Sequence, residues 1–152
     1  MAALGVDEVI LSSSHKVLEK EKGTPQHGVD ILVIDDDVEI SKLLVRIFQT
    51  EDYSVKVALS SEEGLRLIRE LSPRLILLDI MLGQSSGWSI CEALKKDSEY
   101  ESFKHLNIIM FSVSRAQKDA EMARTYQVKD FIHKPFEIHD LLKRVERWVK
   151  KT

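Results

Sequence analysis

From Asp30 onward, short apolar runs alternate with longer stretches whose apolar residues recur at helical spacing. The short runs are ILVI (31–34), SVKVA (54–58), RLILL (74–78), NIIMFS (107–112) and DFIH (130–133). Each has the length of a strand. Between the first two, Ile40, Leu43, Leu44, Ile47 and Phe48 follow the i, i+3, i+4, i+7, i+8 stripe of an amphipathic helix. Leu65, Ile68 and Leu71 mark a second helix, opened by Ser60 with Glu63 three residues on and closed by Pro73. Trp88, Cys91 and Leu94 belong to a third. A fourth, around Gln117 to Tyr126, offers only Ala120, Ala123 and Tyr126 to the core and is weakly anchored. The fifth carries Ile138, Leu141, Leu142, Val145, Trp148 and Val149. Five strands alternating with five helices predict a doubly wound α/β fold. It is a five-stranded parallel sheet between two helix layers.

Residues 1–28 do not share this pattern. SSSHKVLEKEKGTPQHG is polar and charged and closes on Gly23, Pro25 and Gly28. It reads as an N-terminal extension or linker with a short helix from about Asp7 to Lys20, or as a helix docked through Val9, Ile10, Val17 and Leu18. Residues 29–152 form the domain, and 152 residues is enough for one core plus a tail. The net charge of −3 argues against direct nucleic-acid binding, which needs a basic face. The single cysteine, Cys91, excludes an internal disulfide and a thiolate metal cluster, and suits a reducing, cytoplasmic setting. No apolar run approaches the length that spans a bilayer.

In a doubly wound sheet the functional crevice lies beyond the carboxyl ends of the strands. Asp35, Asp36 and Asp37 follow the first strand, and Asp79 follows the third. Ser112 ends the fourth and Lys134 the fifth. Adjacent carboxylates repel one another, so a divalent cation and a lysine are needed to hold them together. Hard oxygen ligands suit Mg²⁺. A carboxylate is a competent nucleophile toward a phosphoryl group, and a metal ion and a lysine offset the charge of the transferred oxygens. These residue types point to phosphoryl transfer.

The order and spacing of these groups resemble the receiver domain of two-component response regulators, over roughly Asp30 to Lys151. The resemblance rests on Asp35–Asp36, on Asp79 within LLDIM, on Gly87 eight residues later, on Ser112, and on Lys134–Pro135 in KPF. It implies a flavodoxin-like, CheY-like three-layer sandwich. It implies that Asp79 accepts a phosphoryl group from a histidine kinase or histidine phosphotransfer protein. Asp36, Asp79 and the Met81 backbone carbonyl would ligate Mg²⁺, with Asp35 acting through water. Lys134 would pair with the phosphoryl group. Ser112 and Phe131 would form the switch, acting on a face of the fourth helix, fifth strand and fifth helix that binds an output partner or a second copy. Such a protein is a signalling switch and not a turnover enzyme, catalysing only its own phosphorylation and dephosphorylation.

This chain departs from the family pattern at three positions. Gly83 stands where a proline is common, so that loop is freer. Val113 stands where a small residue is usual, and its bulk narrows access to the phosphoryl group. Gln127 stands where a glycine usually precedes the fifth strand, and must take a disfavoured backbone conformation. Two other readings stay open. VIDDDVE nearly matches the motif of haloacid-dehalogenase phosphatases, with Asp35 as nucleophile and Asp37 as acid/base, although Glu39 replaces their Thr or Val. A receiver that works as a phosphorylation-independent scaffold is the other.

Overall fold

The computed structural model describes residues 28–149, so the expected extension over 1–28 lies outside the described residues except for Gly28. Five strands form one parallel sheet: β1 (Ile31–Ile34), β2 (Val55–Ala58), β3 (Leu75–Leu78), β4 (Asn107–Ser112) and β5 (Asp130–His133). Their order is β2-β1-β3-β4-β5. The chain steps from β1 outward to β2, then returns across β1 to β3, so the winding reverses between β1 and β3. All four residues of β1 and of β3 are fully buried, as expected for strands covered on both faces.

Five helices cover the sheet: α1 (Val38–Thr50), α2 (Ser61–Leu71), α3 (Gly87–Lys96), α4 (Gln117–Thr125) and α5 (Ile138–Trp148). Strand alternation divides the core in two. Ile31, Val33, Leu75, Leu77, Ile109, Phe111 and Ile132 pack with Leu44, Val45 and Phe48 of α1 and Leu141 and Val145 of α5. On the other face, Leu32, Ile34, Ile76, Leu78, Ile108 and Met110 pack with Leu67, Ile68 and Leu71 of α2 and Ile90, Cys91 and Leu94 of α3. Met122, Ala123 and Tyr126 reach this second cluster from α4 as partly buried neighbours. Burial pushes the Cys91 thiol up to about 12. A two-residue antiparallel ribbon, Met81–Leu82 with Ser85–Ser86, and a 3₁₀ helix over Ser98–Phe103 are additions that the periodicity does not announce.

Two helix faces are rotated from the predicted stripe, and a third departs from it only at its first residue. In α1, Leu43 is exposed, and the buried residues are Ser41, Leu44, Val45 and Phe48. In α5, Ile138 is exposed. In α4, Ala120 is exposed and Asp119 is buried. In each case an apolar residue falls outside the packed stripe. In α1 and α4 a polar residue enters it because a hydrogen-bond partner waits there. Helix α2 opens as predicted, with Ser60 Oγ accepting the Glu63 N–H at 3.2 Å. The Glu63 carboxylate reaches past the cap to accept from Leu59 N–H at 3.0 Å. Gln127 has φ 57°, the left-handed conformation expected of it.

Candidate functional site

The register of β1 and β3 builds the centre of the site. Ile34 pairs with Leu78, so the next residue on each strand, Asp35 and Asp79, emerges at the same level on adjacent strands. The Asp79 N–H donates to Ile34 O at 2.9 Å, continuing the ladder to that level. Neighbouring strands lie about 4.8 Å apart, which brings the two carboxylates together at the reversal of winding. Asp36 completes the group: one oxygen from each of Asp35, Asp36 and Asp79 lies within 4.8 Å of the others. Asp35 and Asp79 are buried and Asp36 is exposed.

The ammonium of Lys134 sits between the two buried carboxylates, 2.7 Å from Asp35 Oδ2 and 3.0 Å from Asp79 Oδ2. It is delivered from the end of β5, where the Lys134 N–H donates to Ser112 O at 3.0 Å and the Lys134–Pro135 peptide is cis. Its Nζ also lies 4.9 Å from the centre of the Phe111 ring, which meets Phe136 edge-on at 5.2 Å. Burial works against the charged form of Lys134, but its hydrogen bonds and charge pairing with Asp35 and Asp79 outweigh it and hold the ammonium above its ordinary value. Burial is also the largest influence on Asp35, and raises its carboxyl above the usual range despite Lys134 and the Asp37 N–H.

The second oxygens are held by backbone. Asp35 Oδ1 accepts from Asp37 N–H at 2.9 Å, and Asp79 Oδ1 accepts from Met81 N–H at 3.2 Å. Asp37 stands apart as the cap of α1, its Oδ1 accepting from Glu39 and Ile40 N–H. Two glycines shape the loop after Asp79. Gly83 has φ +64°, and a Cβ there would lie 3.7 Å from Asp36 Oδ2. A Cβ on Gly87 would stand 2.3 Å from Asp79 O, so α3 starts against the backbone of Asp79 itself.

Asp35, Asp36, Asp79 and Lys134 therefore converge. Ser112 joins them through its backbone; its hydroxyl is turned into its own loop and accepts from Ser114 N–H at 3.3 Å. Met81 follows in the ribbon and is 60% exposed. Val113 is 56% exposed, so its added bulk extends mainly into solvent. Phe131 is half-buried on β5, its ring 4.7 Å from that of His133. The sequence reading missed Asp119, whose carboxylate accepts from Trp88 Nε1–H at 2.8 Å and from the Ser114 hydroxyl. No local spacing could reveal it, because Trp88 lies 31 residues away. Three converging carboxylates, all hard oxygen donors, are compatible with a divalent cation.

A family model, the response regulator receiver domain, matches residues 31–146. The chain is 30% identical over 122 residues to the DNA-binding dual master transcriptional regulator RpaA of Synechocystis, a match covering 80% of this chain and 49% of that protein. It is also 30% identical over 122 residues to the DNA-binding response regulator MtrA of Mycobacterium tuberculosis, covering 80% of this chain and 51% of that one. It thus spans about half the length of these curated relatives. Among solved structures, the receiver domain of NtrX from Brucella abortus is 30% identical with a TM-score of 0.64, covering 80% of this chain and 99% of that one. A CheY-like receiver domain protein from Methanospirillum hungatei is 26% identical with a TM-score of 0.70, covering 78% and 91%.

Proposed function

The chain belongs to the response regulator receiver family, and on that premise we propose that Asp79 is its phosphoacceptor. The observation that carries this is the single ammonium shared between Asp35 and Asp79, with a third carboxylate beside them. An oxygen of Asp79 attacks the phosphorus of a phosphohistidine on a histidine kinase or phosphotransfer protein. A P–O bond forms, the P–N bond breaks, and the imidazole leaves with a proton from solvent. The negative charge of Asp79 passes to the leaving imidazole and is neutralised by that proton, while the phosphoryl oxygens bring their own charge to the site. Lys134, already 3.0 Å from Oδ2, pairs with it there. The Met81 N–H holds the carboxylate in its attacking orientation.

Asp36, Asp79 and the Met81 carbonyl would hold Mg²⁺, with Asp35 acting through water. When bound, Mg²⁺ supplies charge neutralisation for the transferring phosphoryl group. The protein is a switch that catalyses only its own phosphorylation and dephosphorylation. Ser112 turns toward the new phosphoryl group, and with Phe131 biases the α4–β5–α5 face toward an output partner or a second copy. A receiver that takes its phosphoryl group from a kinase in this way would act in the cytoplasm. Among the described residues no helix is long and apolar enough to cross a membrane.

A dehalogenase-type hydrolase using Asp35 is less well supported. The acid/base it requires, Asp37, spends its Oδ1 on capping α1. The test is intact-mass spectrometry after incubation with acetyl phosphate, with and without Mg²⁺, on wild type and Asp79→Asn. A Mg²⁺-dependent phosphoryl adduct that is lost in Asp79→Asn supports the assignment. An adduct that persists in Asp79→Asn transfers it to Asp35.

A further inference from the structure

Among the described residues, Asp119 is the one buried carboxylate outside the cluster, at 6% exposure. No cation pairs with it among those residues. Its partners are two neutral donors, the Trp88 indole N–H at Oδ1 and the Ser114 hydroxyl at Oδ2. Burying a carboxylate on neutral donors alone costs stability that an apolar residue in the same stripe would not. What the carboxylate does instead is join three segments: α3 through Trp88, the loop after β4 through Ser114, and the first turn of α4 through itself.

Both arms of this bridge are rooted at the proposed phosphorylation site. Trp88 directly follows Gly87, whose N–H donates to Ile80 O at 2.8 Å and whose Cα is packed against Asp79 O. Ser114 donates its N–H to Ser112 Oγ, and its own Oγ accepts from Ala116 N–H at 3.2 Å. The loop over 112–116 is thus tied to Asp119 by a side chain whose donor and acceptor are both in use. If the Ser112 hydroxyl turns toward a phosphoryl group, it must either drop the Ser114 N–H or draw the loop along. Helix α4 is otherwise anchored through partly buried residues, Met122, Ala123 and Tyr126. Asp119 is its one buried residue, and its C-cap, Tyr126, stacks on the Trp88 ring at 6.1 Å.

We propose that Asp119 is a positioning residue that couples Ser112 to helix α4 by holding the Ser114 hydroxyl and the Trp88 indole together. The proposal rests on the phosphoacceptor reading. Displacement of the 112–116 loop pulls on Asp119, and α4 and the Trp88 ring respond as one unit. A role in stability alone would not produce that response.

The test uses the full chain carrying Trp148→Phe, which leaves Trp88 as the single tryptophan. Acetyl phosphate and Mg²⁺ are added, the adduct is counted by intact mass, and Trp88 emission and amide hydrogen exchange over 117–125 are read on the same samples. The expected result is an emission shift and faster α4 exchange that scale with adduct. Ser114→Ala and Asp119→Asn should form the adduct yet lose most of both responses, while Ser114→Thr, which keeps the hydroxyl, retains them. Ser114 is half-buried, so its variants keep the test valid should Asp119→Asn fold poorly. Adduct without an emission shift in the reference protein overturns the coupling alone, as does a full response in Ser114→Ala. No adduct in the reference protein overturns the phosphoacceptor reading and this inference with it.

Discussion

Replacing Asp36 by Asn should make the protein more stable while disabling its proposed site. Among the described residues Asp36 makes no ion pair, yet its carboxylate has oxygens of Asp35 and Asp79 within 4.8 Å. Lys134 carries one positive charge against those two negatives. The net field on Asp36 is therefore close to that of one like charge. At 4.8 Å that repulsion is about 0.9 kcal/mol in a water-like dielectric and about 3.5 kcal/mol at an effective value of 20. Because Asp36 is exposed, the lower figure governs. Asp36→Asn should gain about 1 kcal/mol, read as a urea midpoint roughly 0.5 M higher at an unchanged slope. The sign of the pH dependence follows from Asp35. Its carboxyl is raised in the folded state, so the strain of the ionised cluster is fully present above that raised value and fades as pH falls through it. The advantage of Asp36→Asn should shrink over the same interval. Added Mg²⁺ should raise the wild-type midpoint and leave the variant's nearly unmoved. An Asp36→Asn midpoint below wild type, at neutral pH without Mg²⁺, would refute the like-charge account of the site.

Lys134→Met removes the cation and leaves Asp35 and Asp79 buried side by side. It should cost about 3 kcal/mol at neutral pH, recovering in part as acid protonates Asp35, and should slow phosphoryl incorporation roughly 100-fold. Urea titrations at two pH values and timed intact-mass measurements check the two halves. Gln127→Gly should stabilise by about 1 kcal/mol, because glycine takes a left-handed φ without the cost that a side chain incurs; Gln127 has φ 57°. Thermal unfolding reads it, and an unchanged or lower midpoint would show that the Gln127 side chain contributes something the backbone argument omits.

The fold was legible in the sequence because β1 and β3 are apolar throughout and sit at regular intervals among helix-period stretches. Asp35, Asp79 and Lys134 were legible because each directly follows a strand, where the topology alone sends them to one edge. Helix faces were less legible. Counting apolar residues favours Leu43, Ala120 and Ile138, which solvent accepts, over Ser41 and Asp119, which the core accepts. Ser41 is buried with its hydroxyl toward Asp35 O, and Asp119 with Trp88 and Ser114. The signal for a buried polar residue lies in its partner, and when the partner is distant along the chain no local pattern records it.

Cys91 has a practical consequence for anyone wishing to follow this switch. With no exposure and a thiol pushed up to about 12, it is ionised in only about one molecule in 10⁵ at neutral pH. A thiolate is the nucleophile that attacks maleimide and disulfide reagents, so the native sulfur is silent toward them. A cysteine introduced on α4 or β5 can be labelled with a fluorophore or spin probe in the otherwise unaltered protein, and the proposed movement of that face tested directly.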